Sequence, residues 1–223
     1  MEGKTVPGFK RYIQEYPSIN LGWKVLPWFK VDVDKLQQWY ADLEDNYHDW
    51  KFIIGDNEHV WQEPIVDLEG ITGHRLMPDT AYYTLCWNNN DPGPKTFEQG
   101  QAKPEYRDND NGELNPRECF SGYVLDIVTG LPIRSKKWLV TIHTPGTKLI
   151  PHQDSPDKIR VHIPIYTNND SKWIIDGEEF HMEPGWAYLV NTTLPHSLEN
   201  NGTTDRIHIY GKVWTTDVQK LFS

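Results

Sequence analysis

The second half of the sequence consists of short strand-forming runs separated by turn residues, and this pattern restricts the folds open to the chain. The runs are rich in β-branched and aromatic residues, and they cover 138–143, 158–166, 173–175, 178–182, 186–191 and 205–214. Asp176-Gly177 separates two of them and is a dipeptide typical of a two-residue hairpin turn. Short strands joined by tight turns predict a mainly β fold of the jelly-roll barrel type.

Two of these runs carry polar and apolar residues on opposite faces. In one run, Arg160 and His162 share a face, because successive side chains of a strand point to opposite sides. Arg206, His208 and Tyr210 share a face of the last run in the same way. These polar faces either point to solvent or line a pocket inside the barrel. We favour the pocket, with the opposite, apolar faces packed under helices.

One amphipathic helix is predicted in the first half of the chain. Its apolar residues recur at the spacing of a helical face, at Leu36, Trp39, Tyr40, Leu43 and Tyr47. Asp32 or Asp34 is in position to cap its first turn. We expect residues 1–223 to form a single domain, a size common for strand-rich barrels. Helices from a mixed N-terminal part, residues 1–120, would cover one face of a barrel core at residues 121–214.

Residues 88–118 form a long polar stretch that is dense in Asn, Asp, Gly and Pro. A loop of this length in a compact domain is either a functional lid or a disordered segment. Its composition cannot bury a core, and Phe97, Tyr106 and Arg107 would supply the contacts of a lid. Cys86 and Cys119 lie on either side of this stretch, and we expect thiols there rather than a disulfide.

The charge and hydropathy of the chain restrict its partners. A formal net charge of −10 argues against a nucleic-acid partner. No run of about 18 apolar residues is present, so no membrane span is predicted. The segment from Met1 to Val6 lacks the apolar region of a secretory signal. We therefore expect a cytoplasmic protein that acts on a small molecule or a peptide.

Three residues of the second half have the types and order of an iron site. His152 and Asp154 lie two positions apart and project to the same side of an extended segment, while His196 follows on a distant one. Two imidazoles and a carboxylate suit non-haem Fe(II) and leave three positions open for reactants. Two alternative ligands are less well placed: Asp157 lacks the two-residue spacing, and His181 lies beside the predicted hairpin.

Arg206 adds a second functional signal, because it lies ten positions after His196. A guanidinium can hold a carboxylate-bearing co-substrate through two parallel hydrogen bonds. This favours an enzyme over a cupin-like metal-binding module without oxygenase activity, since a module that only binds metal has no use for such a clamp. A His-x-Asp motif alone arises by chance in many chains, so its weight depends on the flanking sequence.

The flanking sequence carries a series of short motifs. They are Pro145-Gly146, Pro151-His152, Arg160-x-His162-Ile163-Pro164, Thr167-Asn168, Pro184-Gly185, Asn191-Thr192, Pro195-His196-Ser197, and Asn200-x-Gly202 before Arg206-Ile207-His208. Together they resemble the aspartyl/asparaginyl β-hydroxylase superfamily of Fe(II)- and 2-oxoglutarate-dependent dioxygenases, and they are similar to its proline cis-4-hydroxylase-like branch. The resemblance covers about residues 138–213, and the first half carries no matching motif.

The resemblance implies a fold and a set of site residues. The fold is a double-stranded β-helix, which is a jelly-roll barrel. The implied ligands of Fe(II) are His152, Asp154 and His196. The residues implied to contact 2-oxoglutarate, beginning with the partner of its distal carboxylate, are Arg206, Thr141, His143 and His162. Arg160 is implied to face an anionic group of the substrate.

The implied reaction consumes O₂ and 2-oxoglutarate, releases succinate and CO₂, and hydroxylates an amino acid, free or within a polypeptide. Animal aspartyl/asparaginyl members of the superfamily carry glycine in place of the carboxylate ligand. This chain retains Asp154, which favours the proline-hydroxylase-like branch and leaves an aspartyl or asparaginyl substrate in doubt. The carboxylate also argues against halogenation, which needs that ligand position vacated for halide.

Overall fold

The structure, a computed structural model, describes residues 22–48, 51–54, 61–66, 72–75, 80–84, 118–154 and 158–222. The strands in these ranges are β1 (Trp23–Lys30), β2 (Phe52–Ile54), β3 (Trp61–Val66), β4 (Thr72–Arg75), β5 (Thr80–Thr84), β6 (Ser135–His143), β7 (Lys148–His152), β8 (Lys158–Tyr166), β9 (Ser171–Ile175), β10 (Glu178–Phe180), β11 (Trp186–Val190), β12 (His196–Asn200) and β13 (Arg206–Trp214). The helices are α1 (Val33–Tyr47), α2 (Tyr123–Thr129) and α3 (Thr215–Phe222).

The strands from β6 to β13 form the two sheets of a jelly roll. The large sheet has the order β1-β11-β8-β13-β6-β5-β2, and the small sheet has the order β10-β9-β12-β7. All of these neighbours pair antiparallel. The chain crosses repeatedly between the sheets, so that β6, β8, β11 and β13 face β7, β9, β10 and β12. This arrangement confirms the predicted double-stranded β-helix.

Strand β8 shows how alternation positions the core and the site. Its apolar residues are fully buried and pack with Leu36 and Leu43 of α1 in one apolar cluster. On the opposite face of the strand, the buried ring of His162 lies 5.0 Å, between ring centroids, from that of Trp173 on β9. The polar face of the large sheet therefore lines the space between the two sheets, as the alternation predicted.

Helix α1 forms where the apolar periodicity predicted it. Asp32 caps its first turn, and the side chain accepts a hydrogen bond of 3.2 Å from the backbone N–H of Lys35. The indole of Trp39 donates to the carbonyl of Cys119 at 3.1 Å, which ties the helix to the segment before α2. Helix α1 thus packs against the outer face of the large sheet.

The turn between β9 and β10 is the predicted hairpin. Asp176 has φ 50° and Gly177 has φ 84°, so both central residues are left-handed. Such a turn matches the right-handed twist of the strands that it joins. The hairpin fixes the side-chain direction of β9, which places Trp173 and Ile175 in the apolar cluster between the sheets.

The strands that widen the large sheet were not predicted from sequence. β1 pairs with β11 at one edge, and its register breaks between Val25 and Lys30. This break spans Pro27, which cannot donate a ladder hydrogen bond and is tolerated at a sheet edge. At the other edge β5 pairs with β6, and β2 pairs with β5.

Two predictions for the first half lie outside the described residues. The polar stretch 88–118 falls there except for its last residue, and so do its candidate lid residues and Cys86. Cys119 is buried beside α2. Because Cys86 is not described, the expectation of two thiols stays a prediction. Among the described helices, none combines the length and apolar character of a membrane span.

Candidate active site

Strand pairing brings His152, Asp154 and His196 together. His152 ends β7 and His196 begins β12, and the two residues are directly opposite each other in the antiparallel register. Their ring centroids lie 4.2 Å apart. Asp154 follows β7 by two residues, and one ligand atom from each of the three residues lies within 4.8 Å of the others. The trio predicted from sequence is therefore a compact cluster, which we call the triad.

Local hydrogen bonds orient the triad. Nδ1 of His196 lies 2.9 Å from the carbonyl oxygen of Leu194. A carbonyl only accepts, so Nδ1 carries the proton and Nε2 presents the lone pair that a metal needs. The backbone N–H of Asp154 donates to the carbonyl of Thr192 at 2.7 Å. The segment around Asp154 is thereby fixed against the one that leads into His196.

The carboxylate of Asp154 is ionised and held by an arginine. Nη2 of Arg160 lies 2.6 Å from Oδ2, while Oδ1 lies 4.0 Å from Nε2 of His152. Burial acts to raise the pKa of Asp154, but Arg160 foremost, with the triad imidazoles and Lys212, holds it well below its usual range. Oδ1 thus faces the imidazoles as an anionic oxygen that can coordinate a metal. Two imidazole nitrogens and one carboxylate oxygen fit a divalent iron ion.

His181, one of the two alternative ligands, does not join the triad. Nδ1 of His181 lies 2.9 Å from the carbonyl of Ser171, and its Nε2 lies 3.6 Å from the carboxylate of Glu183. His181 is therefore engaged near the hairpin, where the sequence placed it. Asp157 lies outside the described residues.

Arg206 is a buried cation without an acidic partner. Its residue exposure is 1 %, and its guanidinium contacts Nδ1 of His143 at 3.2 Å and Nδ1 of His208 at 2.8 Å. A guanidinium only donates, so both imidazoles accept at Nδ1. Burial lowers the pKa of Arg206 to about 9, which leaves it charged at neutral pH. No carboxylate of the described part of the chain pairs with it, so the interior holds an uncompensated positive charge.

Aromatic rings connect Arg206 to the triad. The ring of Trp173 stacks on that of His196, with centroids 5.6 Å apart and planes 20° apart. The guanidinium carbon of Arg206 lies 5.7 Å from the centroid of the same indole. The ring of His162 lies 5.4 Å from that of Tyr210, between centroids. We call the space bounded by the triad, Arg206 and these rings the interior pocket.

The other predicted site residues lie on β6 and β8, the two strands that flank β13 in the large sheet. His143 touches Arg206, whereas the hydroxyl of Thr141 is 3.4 Å from the carbonyl of His208, two residue pairs further along the β6–β13 ladder. Arg160 lies over the ring of Tyr210, 4.9 Å from its centroid, in addition to its ion pair. Sequence reasoning did not single out Trp173. One signal could have identified it: the alternation of β9 places Trp173 on the buried face of that strand.

Burial of two histidines predicts a pH-dependent stability. Burial, and then the nearby charge of Arg206, holds the pKa values of His162 and His208 well below the usual range. Both are thus neutral in the folded state, while the unfolded chain takes up protons below about pH 6.5. Stability should therefore fall with decreasing pH, by about 1.4 kcal/mol for each histidine between about pH 7.5 and about pH 5.5.

Urea unfolding of the metal-free protein at the two pH values measures this effect. A His162→Phe variant should lose part of the dependence. Equal free energies of unfolding at both pH values for the unaltered protein would contradict the assignment of neutral buried imidazoles.

The jelly roll and the triad together fit the class of metal-dependent oxygenases. Residues 110–216 match the sequence profile of the aspartyl/asparaginyl beta-hydroxylase family, and this segment contains the triad and Arg206. Over this segment, just under half of the chain, the sequence is similar to that family, and the protein is an enzyme of the hydroxylase type. Among proteins with curated descriptions, none matches the sequence.

Three solved structures have partly similar folds. A prolyl-4-hydroxylase from Pseudomonas putida is 14% identical, with a TM-score of 0.43 over 87% of this chain and 93% of that one. A predicted oxalate decarboxylase from Thermotoga maritima is 15% identical, with a TM-score of 0.31 over 36% of this chain and 67% of that one. A cupin domain from Bordetella pertussis is 15% identical, with a TM-score of 0.31 over 38% and 86%.

Proposed function

We propose that the protein is an Fe(II)- and 2-oxoglutarate-dependent dioxygenase that hydroxylates an amino acid, free or within a polypeptide, with release of succinate and CO₂. The observation that carries this proposal is the buried guanidinium of Arg206, which has no acidic partner in the described chain and is separated from the triad by one indole ring. A co-substrate with an anionic group at each end satisfies both sites at once, because one end reaches the metal and the other the guanidinium.

Different residues of the chain would bind the iron and the 2-oxoglutarate. His152, His196 and Oδ1 of Asp154 would hold the iron. When bound, iron and 2-oxoglutarate supply the oxidising chemistry that activates O₂ and transfers oxygen to a C–H bond of the substrate. Arg206 would bind the distal carboxylate, and its contacts with His143 and His208 fix the direction of its remaining N–H groups.

The surroundings of the pocket support oxygenase chemistry. Trp173 belongs to an apolar cluster between the sheets that also contains Leu149, Val190 and Leu198, all buried. Apolar walls limit the access of water to a reactive centre. A cytoplasmic setting, which would keep iron ferrous, is part of the proposal.

We favour a proline-like substrate. The support is the retained carboxylate of Asp154, which animal aspartyl/asparaginyl members of the superfamily lack. Arg160 and Lys212 both act on that carboxylate electrostatically, so the side of the pocket next to Asp154 is positively charged. A free amino acid or a peptide can present a carboxylate to such a surface.

The second candidate function is a metal-binding module without oxygenase activity. The triad alone is compatible with it, but a buried arginine without an acid is costly for a module that binds no anion. The deciding experiment measures succinate formed from 2-oxoglutarate with Fe(II) under air, first without substrate and then with a panel of amino acids and peptides. Absence of succinate under all conditions would favour the module.

Arg160→Gln is expected to impair turnover that depends on the substrate. The guanidinium lies beside Asp154 and would grip an anionic group of the substrate, so its loss should raise the substrate KM by about tenfold or more. Substrate-independent decarboxylation at saturating Fe(II) should persist. Arg134→Gln, which removes an arginine from an ion pair with Asp217 elsewhere, is the matched control. Equal loss of both activities would show that Arg160 acts only through Asp154 and does not contact the substrate.

A further inference from the structure

The interior pocket contains hydrogen-bond donors that no acceptor of the described residues meets. Trp173 is 3 % exposed, and its buried Nε1 has no hydrogen-bond partner among the described residues. An indole N–H is a donor only, and an unsatisfied buried donor costs about 1–3 kcal/mol. Two other indoles of the described chain are satisfied: the buried Trp138 donates to the hydroxyl of Ser135 at 3.0 Å, and the partly buried Trp39 donates to the carbonyl of Cys119 at 3.1 Å.

His208 is a second donor of the same kind. Its Nδ1 accepts from Arg206, so Nε2 carries the proton, and that Nε2 is buried without a partner. The residue exposure of His208 is 0 %. Two neutral N–H donors and a guanidinium thus lie close together in one interior, and nothing anionic from the described chain meets them. A bound ligand with acceptor oxygens would satisfy all three.

The position of Trp173 identifies which ligand it meets. Its ring faces the guanidinium of Arg206 on β13 and stacks on the triad imidazole of His196 on β12. A molecule that reaches from the triad to Arg206 must therefore pass along this indole. Trp173 also lies 5.0 Å, between centroids, from the ring of His162 on the opposite sheet.

We propose that Trp173 is a co-substrate-binding residue, whose indole N–H donates a hydrogen bond to the carboxylate of 2-oxoglutarate that Arg206 holds. This inference rests on the proposed function. The residue supplies directional binding in addition to the charge of Arg206, because an indole N–H is fixed by its packed ring. A hydrogen bond to a charged acceptor is among the stronger ones in proteins.

The test compares Trp173→Phe with the unaltered protein. Phenylalanine keeps an aromatic ring and removes the N–H, so the Kd of 2-oxoglutarate for the Zn(II)-loaded protein, measured by calorimetry, should rise by about tenfold or more. The Kd of Zn(II) and the thermal midpoint should change little. Trp138→Phe, which removes a buried indole N–H outside the pocket, is the matched control and should leave the Kd of 2-oxoglutarate unchanged.

A second measurement uses the unaltered chain. In the Zn(II)-loaded protein labelled with ¹⁵N at its indoles, 2-oxoglutarate should move the Trp173 N–H resonance downfield, because a carboxylate deshields the proton it accepts. The resonance is assigned by its absence in Trp173→Phe, or in Trp173→Tyr where the first variant does not fold. An unmoved resonance, or an unchanged Kd in a folded variant, overturns the inference while the proposed function stands. No binding of 2-oxoglutarate to the unaltered protein would overturn both.

Discussion

Arg206→Ala is expected to raise the KM for 2-oxoglutarate by at least about 30-fold. The change leaves a carboxylate of the co-substrate without its cationic partner in a buried pocket, which costs about 2–5 kcal/mol, and every 1.4 kcal/mol is about a factor of ten in affinity. Affinity for Fe(II) should be retained, because the contacts of Arg206 are with His143, His208 and Trp173 rather than with the triad. The measurement is initial-rate kinetics at several concentrations of 2-oxoglutarate, with Fe(II) affinity determined separately.

The control for this prediction is Arg134→Ala. Arg134 is 57 % exposed in its side chain and pairs with Asp217 at 2.7 Å on the outside of the barrel. Its removal changes the net charge by the same amount. The KM should stay unchanged because Arg134 does not touch the interior pocket, and the fold should persist because exposed ion pairs contribute little to the free energy of folding. If the KM of Arg206→Ala equals that of Arg134→Ala, Arg206 does not bind the co-substrate.

His196→Ala is expected to reduce turnover by more than about 100-fold, because loss of a ligand should exceed the 10–100-fold effects of groups behind the ligands. The remaining His152 and Asp154 supply two donors, which cannot enforce the facial geometry that a third donor completes. Calorimetric titration with Fe(II) under anaerobic conditions should show a matching loss of metal affinity. Circular dichroism then checks that the barrel remains folded.

His181→Ala is the matched control for the triad. His181 directly follows the hairpin, and its contacts are with Ser171 and Glu183. Its removal should leave metal affinity and turnover near those of the unaltered protein. Normal product formation by His196→Ala, or loss of metal binding in His181→Ala, would reverse the choice of ligand.

The parts of the fold that follow from local pattern could be predicted from the sequence. The alternation in 158–166 gave the direction of every side chain in β8, because a strand has a fixed two-residue period. Asp176-Gly177 gave the hairpin for an equally local reason, the left-handed conformation of both residues. The edge strand β1 was missed because Pro27 breaks the strand pattern, and only pairing with β11 overcomes that break.

The residues of the candidate site can be divided in the same way, into those with a local sequence signal and those that depend on contacts across the barrel. The i, i+2 spacing of His152 and Asp154 and the motif around His196 are local signals, so the triad could be predicted as a set. The ion pair between Arg160 and Asp154 and the placement of Trp173 against Arg206 depend on how the strands face each other across the barrel. Sequence spacing does not determine contacts of that kind, which is why Trp173 was missed.

The placement of the site on two sheets has a consequence for the motions of the protein. The triad lies at the paired ends of β7 and β12 in the small sheet, whereas Arg206 lies on β13 in the large one. A bound metal therefore links neighbours within one sheet, but a co-substrate that spans to Arg206 links the two sheets to each other. In the proposed reaction, succinate keeps a carboxylate at each end but lacks the chelating keto acid, so it would hold that link less tightly. Each catalytic cycle would thus tighten and then loosen the barrel itself, and product release would coincide with its looser state.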